Sequence, residues 1–335
     1  MKKVAINGLG RIGRLALRHY LLERPKHFEI VAANDLTPGD EMAYLIRYDS
    51  VHGRAPFPVS AGEGTLSFGD TTIKLFAEKD PTKLPWKELG VDYVIECTGR
   101  FTKKEAASKH IEAGAKRVIV SAPSGDADIT IVLGVNEKEY DPAKHVVVSN
   151  ASCTTNSIAP VIKVLDDAFG VDYFMATTIH AYTATQSVVD TPVGDKRRGR
   201  AAALSLIPST SGAAKAMIPL FPHLKGKMDI MAVRAPVPDG SLSDLCIRFT
   251  SDVSAEKING VLKKAVEGHL NGIVDFAEDE IVSADIVTDP HSGIVDSTCT
   301  KVILDRVAKV MVWYDNEYGY ARRLLDLADL MIEKE

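Results

Sequence analysis

Val4-Ala5-Ile6-Asn7-Gly8-Leu9-Gly10-Arg11-Ile12-Gly13-Arg14 is a short apolar run that stops at a glycine and resumes with helical character. Over residues 11–22 apolar side chains recur at helical spacing: Ile12, Leu15, Ala16 and Tyr20. Phe28-Glu29-Ile30-Val31-Ala32-Ala33 follows as a second strand. A strand, a helix and a strand within about 30 residues begin a parallel sheet. Gly8-Leu9-Gly10-Arg11-Ile12-Gly13 matches G-x-G-x-x-G. The first glycine permits a tight turn, the second lets backbone approach a pyrophosphate, and the third packs helix on strand. The helix N-terminus then faces the anion. Alone the motif is weak, because a glycine turn on a sheet that binds nothing reads the same way. Asp35 supplies the missing context, 22 residues beyond Gly13 at the end of the second strand. Its carboxylate suits ribose hydroxyls and repels a 2′-phosphate, so NAD is favoured over NADP.

Working outward, strands are predicted at 91–96, 117–121 and 129–133, with a helix over 103–113 ending at Gly114. Gly62-Glu63-Gly64 and Gly69-Asp70 punctuate residues 54–80 as antiparallel hairpins. Near residue 150 the texture changes. Ser149-Asn150-Ala151-Ser152-Cys153-Thr154-Thr155-Asn156 is a small polar loop between a strand at 145–148 and a helix at 158–169. Beyond it come strands at 173–179, 227–235, 242–250 and 309–314, one helix at 255–270, and an amphipathic C-terminal helix. The expected architecture is an α/β Rossmann dinucleotide-binding domain plus an α+β catalytic domain with a mixed β-sheet. The first spans 1–149 and is completed by the C-terminal helix, 316–335; the second spans 150–315.

A length of 335 residues suits two domains. Forty Lys+Arg against 45 Asp+Glu give a net charge of −5, which offers no basic field for nucleic acid or an anionic membrane. No apolar run approaches the roughly 18 residues of a membrane span. The chain starts directly on its first strand without a leader, so a cytoplasmic protein is expected. Cys97, Cys153, Cys246 and Cys299 are scattered with no C-x-x-C pair, so neither a disulfide framework nor a metal site is expected.

Cys153 falls at the predicted strand-to-helix junction, flanked by small hydroxyl residues. A helix N-terminus favours anions, so the thiol pKa is expected to be lowered, with N–H donors beside the sulfur. His180 ends an apolar strand, 27 residues on. A Cys/His pair brought together by the fold is the minimum for covalent catalysis at a carbonyl. Taken singly, each also reads as an ordinary core side chain. Thr183-Ala184-Thr185, the basic cluster Lys196-Arg197-Arg198-Gly199-Arg200, the loop Pro208-Ser209-Thr210-Ser211-Gly212 and Arg234 are candidate anion sites. A basic cluster equally describes a solvated face.

Together these residues resemble the phosphorylating glyceraldehyde-3-phosphate dehydrogenase family. The resemblance spans essentially the whole chain. It is carried by 7–14, by Tyr48-Asp49-Ser50-Val51-His52-Gly53, by 149–156, by His180-Ala181-Tyr182-Thr183-Ala184-Thr185-Gln186 and by Trp313-Tyr314-Asp315-Asn316-Glu317-Tyr318-Gly319-Tyr320. The resemblance implies oxidation of D-glyceraldehyde 3-phosphate by NAD, with inorganic phosphate giving 1,3-bisphosphoglycerate, a glycolytic step. It implies Cys153 as nucleophile and His180 as base. Thr183, Thr185 and Arg234 would face the substrate phosphate, and Ser152, Thr154, Ser211 and Gly212 the attacking phosphate. Gly8, Gly10, Arg11, Ile12, Gly13, Asp35, Ser121 and Asn316 would hold NAD, Asn316 at the nicotinamide carboxamide. It also implies a homotetramer. Ser211-Gly212 stands where the family usually has Thr-Gly, Ser157 where a second cysteine is common, and Leu36 and Pro192 are consistent with NAD. An erythrose-4-phosphate dehydrogenase, which hydrolyses the thioester, stays open as an alternative, as does a secondary binding role on the same fold.

Overall fold

The computed structural model describes all 335 residues. They fall into two compact units. One comprises Met1–Ile131, Asn136–Ala151 and Ala321–Glu335; the other comprises Val132–Val135 and Ser152–Tyr320. No helix is long and apolar enough to cross a membrane.

The first unit carries β1 (Lys2–Asn7), β2 (Phe28–Asn34), β3 (Ser60–Gly62), β4 (Thr65–Phe68), β5 (Thr71–Phe76), β6 (Tyr93–Glu96), β7 (Arg117–Val120), β8 (Ile129–Thr130) and β9 (Val147–Ser149). They form one sheet in the order β3-β4-β5-β2-β1-β6-β7-β9-β8. All pairings are parallel except the hairpins β3-β4 and β4-β5. Val4, Ala5 and Ile6 of β1 are fully buried. A parallel strand covered on both faces has no solvent side, so its sequence is an unbroken apolar run instead of an alternation. β1 pairs with β2 on one side and β6 on the other, which makes its C-terminal end a topological switch point, the usual place for a ligand crevice. Helix Arg11–Glu23 leaves from there. A Cβ on Gly13 would stand 2.0 Å from the Gly8 carbonyl oxygen, so the helix meets the turn only with glycine at that position.

Two expected elements of this unit are altered. The helix over 103–113 is two short ones, Lys104–Ala107 and Lys109–Glu112. Ser108 between them has ψ −15°, which tightens the ladder to an Ile111 N–H bond on the Ser108 carbonyl. The strand at 129–133 stops at Thr130, because residues 132–135 form a turn with Gly134 at φ +81° and belong to the other unit.

The second unit carries β10 (Val171–Ala181), β11 (Ile207–Thr210), β12 (Met228–Ala235), β13 (Ser241–Phe249), β14 (Val274–Ala277), β15 (Gly293–Ile303) and β16 (Val307–Tyr314). Their order is β11-β12-β10-β13-β16-β15-β14, a mixed sheet in which only β10-β12 and β14-β15 are parallel. Helices Cys153–Phe169 and Ala255–Val266 pack on it. Along β10, Phe174, Ala176, Thr178 and His180 are buried, while Tyr173 and Met175 are exposed. This period of two puts His180 on the inner face of the sheet. β11, β14 and β15 were not expected. Pro208 lies in β11, where proline is tolerated because the strand is an edge. β15 is interrupted by a register shift between Asp296 and Lys301, which breaks the alternation that would have revealed it.

Candidate active site

In the first unit a cavity of about 610 Å³ opens beside the ends of β1, β2 and β6. Gly8, Gly10, Asp35, Leu36, Thr98 and Phe101 are among its walls. Gly8 has φ +93°, and a Cβ there would stand 2.7 Å from the Thr98 nitrogen. At Gly10 a Cβ would meet nothing within 4 Å, so bare backbone faces open space. Helix Arg11–Glu23 has no side-chain N-cap, which leaves its first-turn N–H groups for an anion. Asp35 is pinned by the Leu9 N–H on Oδ2 at 2.7 Å and the Thr37 N–H on Oδ1 at 2.9 Å, and each oxygen keeps a lone pair. A pyrophosphate over bare backbone and a ribose at a fixed carboxylate both fit these residues.

Arg11, Ile12, Gly13 and Ser121 are not among the cavity walls. Gly13 lies under the Gly8 turn. Arg11 makes a bidentate pair with Asp49, at 2.6 and 3.1 Å. Burial of Asp49 opposes its ionisation. Arg11 and the N–H groups of His52 and Val51 outweigh that and hold the carboxyl down at about 2. Ser121 bonds to Cys97, a cavity residue whose thiol burial pushes up to about 12.

In the second unit, helix Cys153–Phe169 starts on Cys153 itself, so the expected loop 149–156 runs into its first turn. Ala151 at φ +55° turns the chain into it. Ser152 is the N-cap: its Oγ accepts the Thr155 N–H at 3.1 Å. Asn156 Nδ2 donates to the Ser152 carbonyl at 3.0 Å. Cys153 Sγ lies 3.5 Å from His180 Nε2. His180 Nδ1 lies 2.7 Å from the Ala181 carbonyl; a proton on Nδ1 serves that contact and is the tautomer in which Nε2 turns a lone pair to the sulfur. The parallel register of β10 and β12 sets Arg234 directly beside His180. Its Nη1 donates to the same Ala181 carbonyl at 3.1 Å and lies 2.7 Å from His180 Nδ1, a contact that calls for the other tautomer, since a guanidinium only donates.

The electrostatics depart from one expectation. Burial pushes the Cys153 thiol up to about 11, although the Arg234 charge and the Thr154 N–H pull the other way. A helix terminus contributes about 0.3–1 kcal/mol, less than one pKa unit, whereas desolvation moves a pKa by several units. Burial and the Arg234 charge push His180 down to about 3. The resting pair is therefore neutral, a thiol against a neutral imidazole.

Tyr314 is a site residue that sequence reasoning missed. Its hydroxyl lies 3.0 Å from Thr154 Oγ1 and 2.6 Å from Thr178 Oγ1, which ties the start of the Cys153 helix to the strand of His180. The His180 ring stands edge-on to it at 5.9 Å. Its only sequence signal was its place in the 313–320 motif. Ser241 Oγ donates to Asn316 Oδ1 at 2.6 Å and accepts the Ala181 N–H at 3.1 Å. Asp239 and Asp315 are also buried in this unit; burial and the neighbouring carboxylate push the Asp239 carboxyl well up. Thr183 and Thr185 share a hydroxyl bond at 2.9 Å. Ser211 Oγ accepts the Ala213 N–H at 3.2 Å, with Gly212 exposed beside it. Arg198 Nε donates to Ser209 Oγ at 3.0 Å.

A bare-backbone nucleotide crevice in one unit and a cysteine–histidine pair in the other are the parts that an NAD-linked dehydrogenase working through a covalent thiol requires. Residues 2–104 match the glyceraldehyde 3-phosphate dehydrogenase NAD binding domain, and residues 152–316 match the C-terminal domain of the same enzyme. The chain is 52% identical over 325 residues to glyceraldehyde-3-phosphate dehydrogenase 2 of Streptomyces avermitilis, covering 97% of each chain. It is 49% identical over 332 residues to glyceraldehyde-3-phosphate dehydrogenase of Geobacillus stearothermophilus, covering 99% of this chain and 98% of the relative. With glyceraldehyde-3-phosphate dehydrogenase 2 of Bacillus subtilis it shares 47% identity over 325 residues, 97% of this chain and 95% of the relative. The chain belongs to the glyceraldehyde-3-phosphate dehydrogenase family, and its cofactor is NAD.

Proposed function

We propose that the chain oxidises D-glyceraldehyde 3-phosphate with NAD and inorganic phosphate, giving 1,3-bisphosphoglycerate and NADH. The observation that carries this reading is Sγ of Cys153 at 3.5 Å from Nε2 of His180, at a helix N-terminus. Sγ attacks the aldehyde carbon as the thiol proton leaves for Nε2, and the carbonyl becomes the hydroxyl of a thiohemiacetal. The Cys153 N–H and His180 hold the developing oxyanion. His180 next takes the hydroxyl proton as that carbon is oxidised to a thioester. NAD, when bound, supplies the acceptor for the hydride. A phosphate oxygen then attacks the thioester carbon, the C–S bond breaks, and the sulfur leaves as thiolate to be reprotonated. Covalent capture conserves as an acyl phosphate the oxidation energy that direct hydrolysis would release.

The remaining roles are part of the same proposal. Arg234, Thr183 and Thr185 take the substrate phosphate. Ser211 and Gly212 receive the attacking phosphate, with Ser152 and Thr154 shaping the helix end beside it. Ser211 keeps its O–H as a donor, since its oxygen only accepts from Ala213. Asn316 holds the carboxamide, and Arg11, Ile12, Gly13 and Ser121 support the nucleotide walls from behind. In this reading residues 1–149 with 316–335 bind NAD and 150–315 are catalytic, although 132–135 and 316–320 pack with the second unit. The exposed Tyr173, Met175 and Met231 on the outer sheet face support association into a homotetramer. Four unpaired cysteines suit a reducing cytoplasm. Comparing NADH formation on glyceraldehyde 3-phosphate and erythrose 4-phosphate, each with and without phosphate, tests the reading. Phosphate-independent turnover would transfer it to the erythrose-4-phosphate enzyme.

A further inference from the structure

Behind the nucleotide cavity lies a buried polar network that the chemistry above does not use. Its hub is Glu96, the last residue of β6, 1% exposed. Four donors converge on its carboxylate. Asn7 Nδ2 at 2.6 Å and His110 Nε2 at 3.0 Å reach Oε2. The Thr98 N–H at 2.8 Å and the Thr98 hydroxyl reach Oε1. His110 is fully buried, and its Nδ1 receives the Trp86 indole N–H at 3.0 Å. An indole nitrogen only donates, so Nδ1 is bare and the ring proton sits on Nε2, aimed at Glu96.

The network continues into the cavity walls. Asn7 Oδ1 accepts from Asn34 Nδ2 at 2.7 Å. Asn34 Nδ2 also donates to the Glu78 carbonyl at 2.9 Å, and its Oδ1 accepts the Glu78 N–H at 2.8 Å. Asn7, Asn34 and Glu96 end three adjacent parallel strands, and the register pairs Asn7 with both of the others. Asn7, Asn34, Glu78 and Thr98 all line the cavity. A buried carboxylate with no cation is costly unless every lone pair is used. Here all are used, and a fully satisfied network specifies one geometry where an apolar core would tolerate several.

We propose that Glu96 and His110 are positioning residues for the cofactor, acting through Asn7 and Thr98. Glu96 holds the Gly8 turn and the Thr98–Phe101 wall at the separation a dinucleotide needs, and His110 orients Glu96. The tolerance is small, since the Thr98 nitrogen already stands 2.7 Å from where a Gly8 Cβ would be. The proposal rests on the reading of this cavity as the NAD site.

The test is NAD titration by calorimetry on the full chain, paired with steady-state kinetics, for His110→Phe, His110→Gln and Thr98→Val. His110→Phe is expected to raise the NAD dissociation constant about tenfold, with KM for the aldehyde and kcat at saturating NAD within about twofold. Gln accepts from the indole and donates to Glu96, so His110→Gln should recover most of the affinity. Thr98→Val removes one donor at the cavity wall and leaves the Thr98 N–H bond to Glu96 in place. It keeps the test open should His110→Phe fail to fold, and is expected to weaken NAD about threefold or more. NAD binding unchanged in Thr98→Val and in any folded His110 variant overturns the proposal. So does a His110→Phe enzyme that loses kcat and aldehyde KM in the same proportion as NAD affinity. Wild-type protein that takes up no NAD overturns the cofactor reading itself.

Discussion

Asp49→Asn removes one charge from the clamp that holds Arg11 at the start of the nucleotide helix. Asp49 sits at about 2 in the fold against an ordinary value of 3.8. The Asp49 side chain is 3% exposed but its partner Arg11 is 31% exposed, so solvent screens part of the pair. A depression of nearly two units at 1.36 kcal/mol per unit amounts to at most about 2 kcal/mol of stability. Because the folded value is depressed, that contribution is present in full above about pH 4 and is lost as pH falls through about 2. At pH 3 about half of it should remain. Asparagine keeps an oxygen for the N–H groups of Val51 and His52, at 2.9 and 3.0 Å in the native loop, but turns an amide nitrogen toward Arg11 Nη1, so the substitution removes the charge and the 2.6 Å bond together. The expected cost at pH 7 is about 1–2 kcal/mol, a drop of roughly 2–8 °C in melting temperature for a unit of this size. Thermal unfolding of both proteins without NAD, at pH 7 and pH 3, measures it. Equal midpoints at pH 7 would refute the reasoning. So would a gap that is as large at pH 3 as at pH 7.

Two further outcomes follow from the site. His180→Asn removes the only base at the sulfur and should lower kcat by about 10²–10⁴, measured as steady-state NADH formation at saturating substrates. Gly13→Ala puts a Cβ 2.0 Å from the Gly8 carbonyl oxygen. The turn must move, at a cost of about 1–3 kcal/mol, read as a lower melting temperature and a raised KM for NAD.

The β1–helix–β2 opening was legible because its signals are local. The glycines, the helical spacing and Asp35 all lie within 35 residues, and each has a mechanical cause. Cys153 and His180 were legible singly, one at a helix start and the other at a strand end. That they meet was not, since the contact depends on β10 leaning its inner face toward the Cys153 helix. Arg234 was legible as a cation near a strand end. Its place against His180 comes from a parallel register, which no neighbouring residue encodes. Tyr314 and the Glu96–His110 pair escaped notice because their partners lie far away in the chain, Thr154 with Thr178 and Asn7 with Trp86. The thiol pKa was misjudged for a related reason. A helix N-terminus can be read from sequence, but the burial that outweighs it cannot. β15 and β11 were lost to a bulge and to a proline on an edge strand.

The account turns on a thioester at Cys153 that phosphate opens. The most direct measurement is NADH absorbance in rapid mixing of enzyme, glyceraldehyde 3-phosphate and NAD, with and without inorganic phosphate, for wild type and Cys153→Ala. The expected result is sustained turnover only with phosphate, a burst near one equivalent per site without it, and no NADH from Cys153→Ala in either case. Sustained turnover without phosphate, or NADH formed equally well by Cys153→Ala, would contradict it.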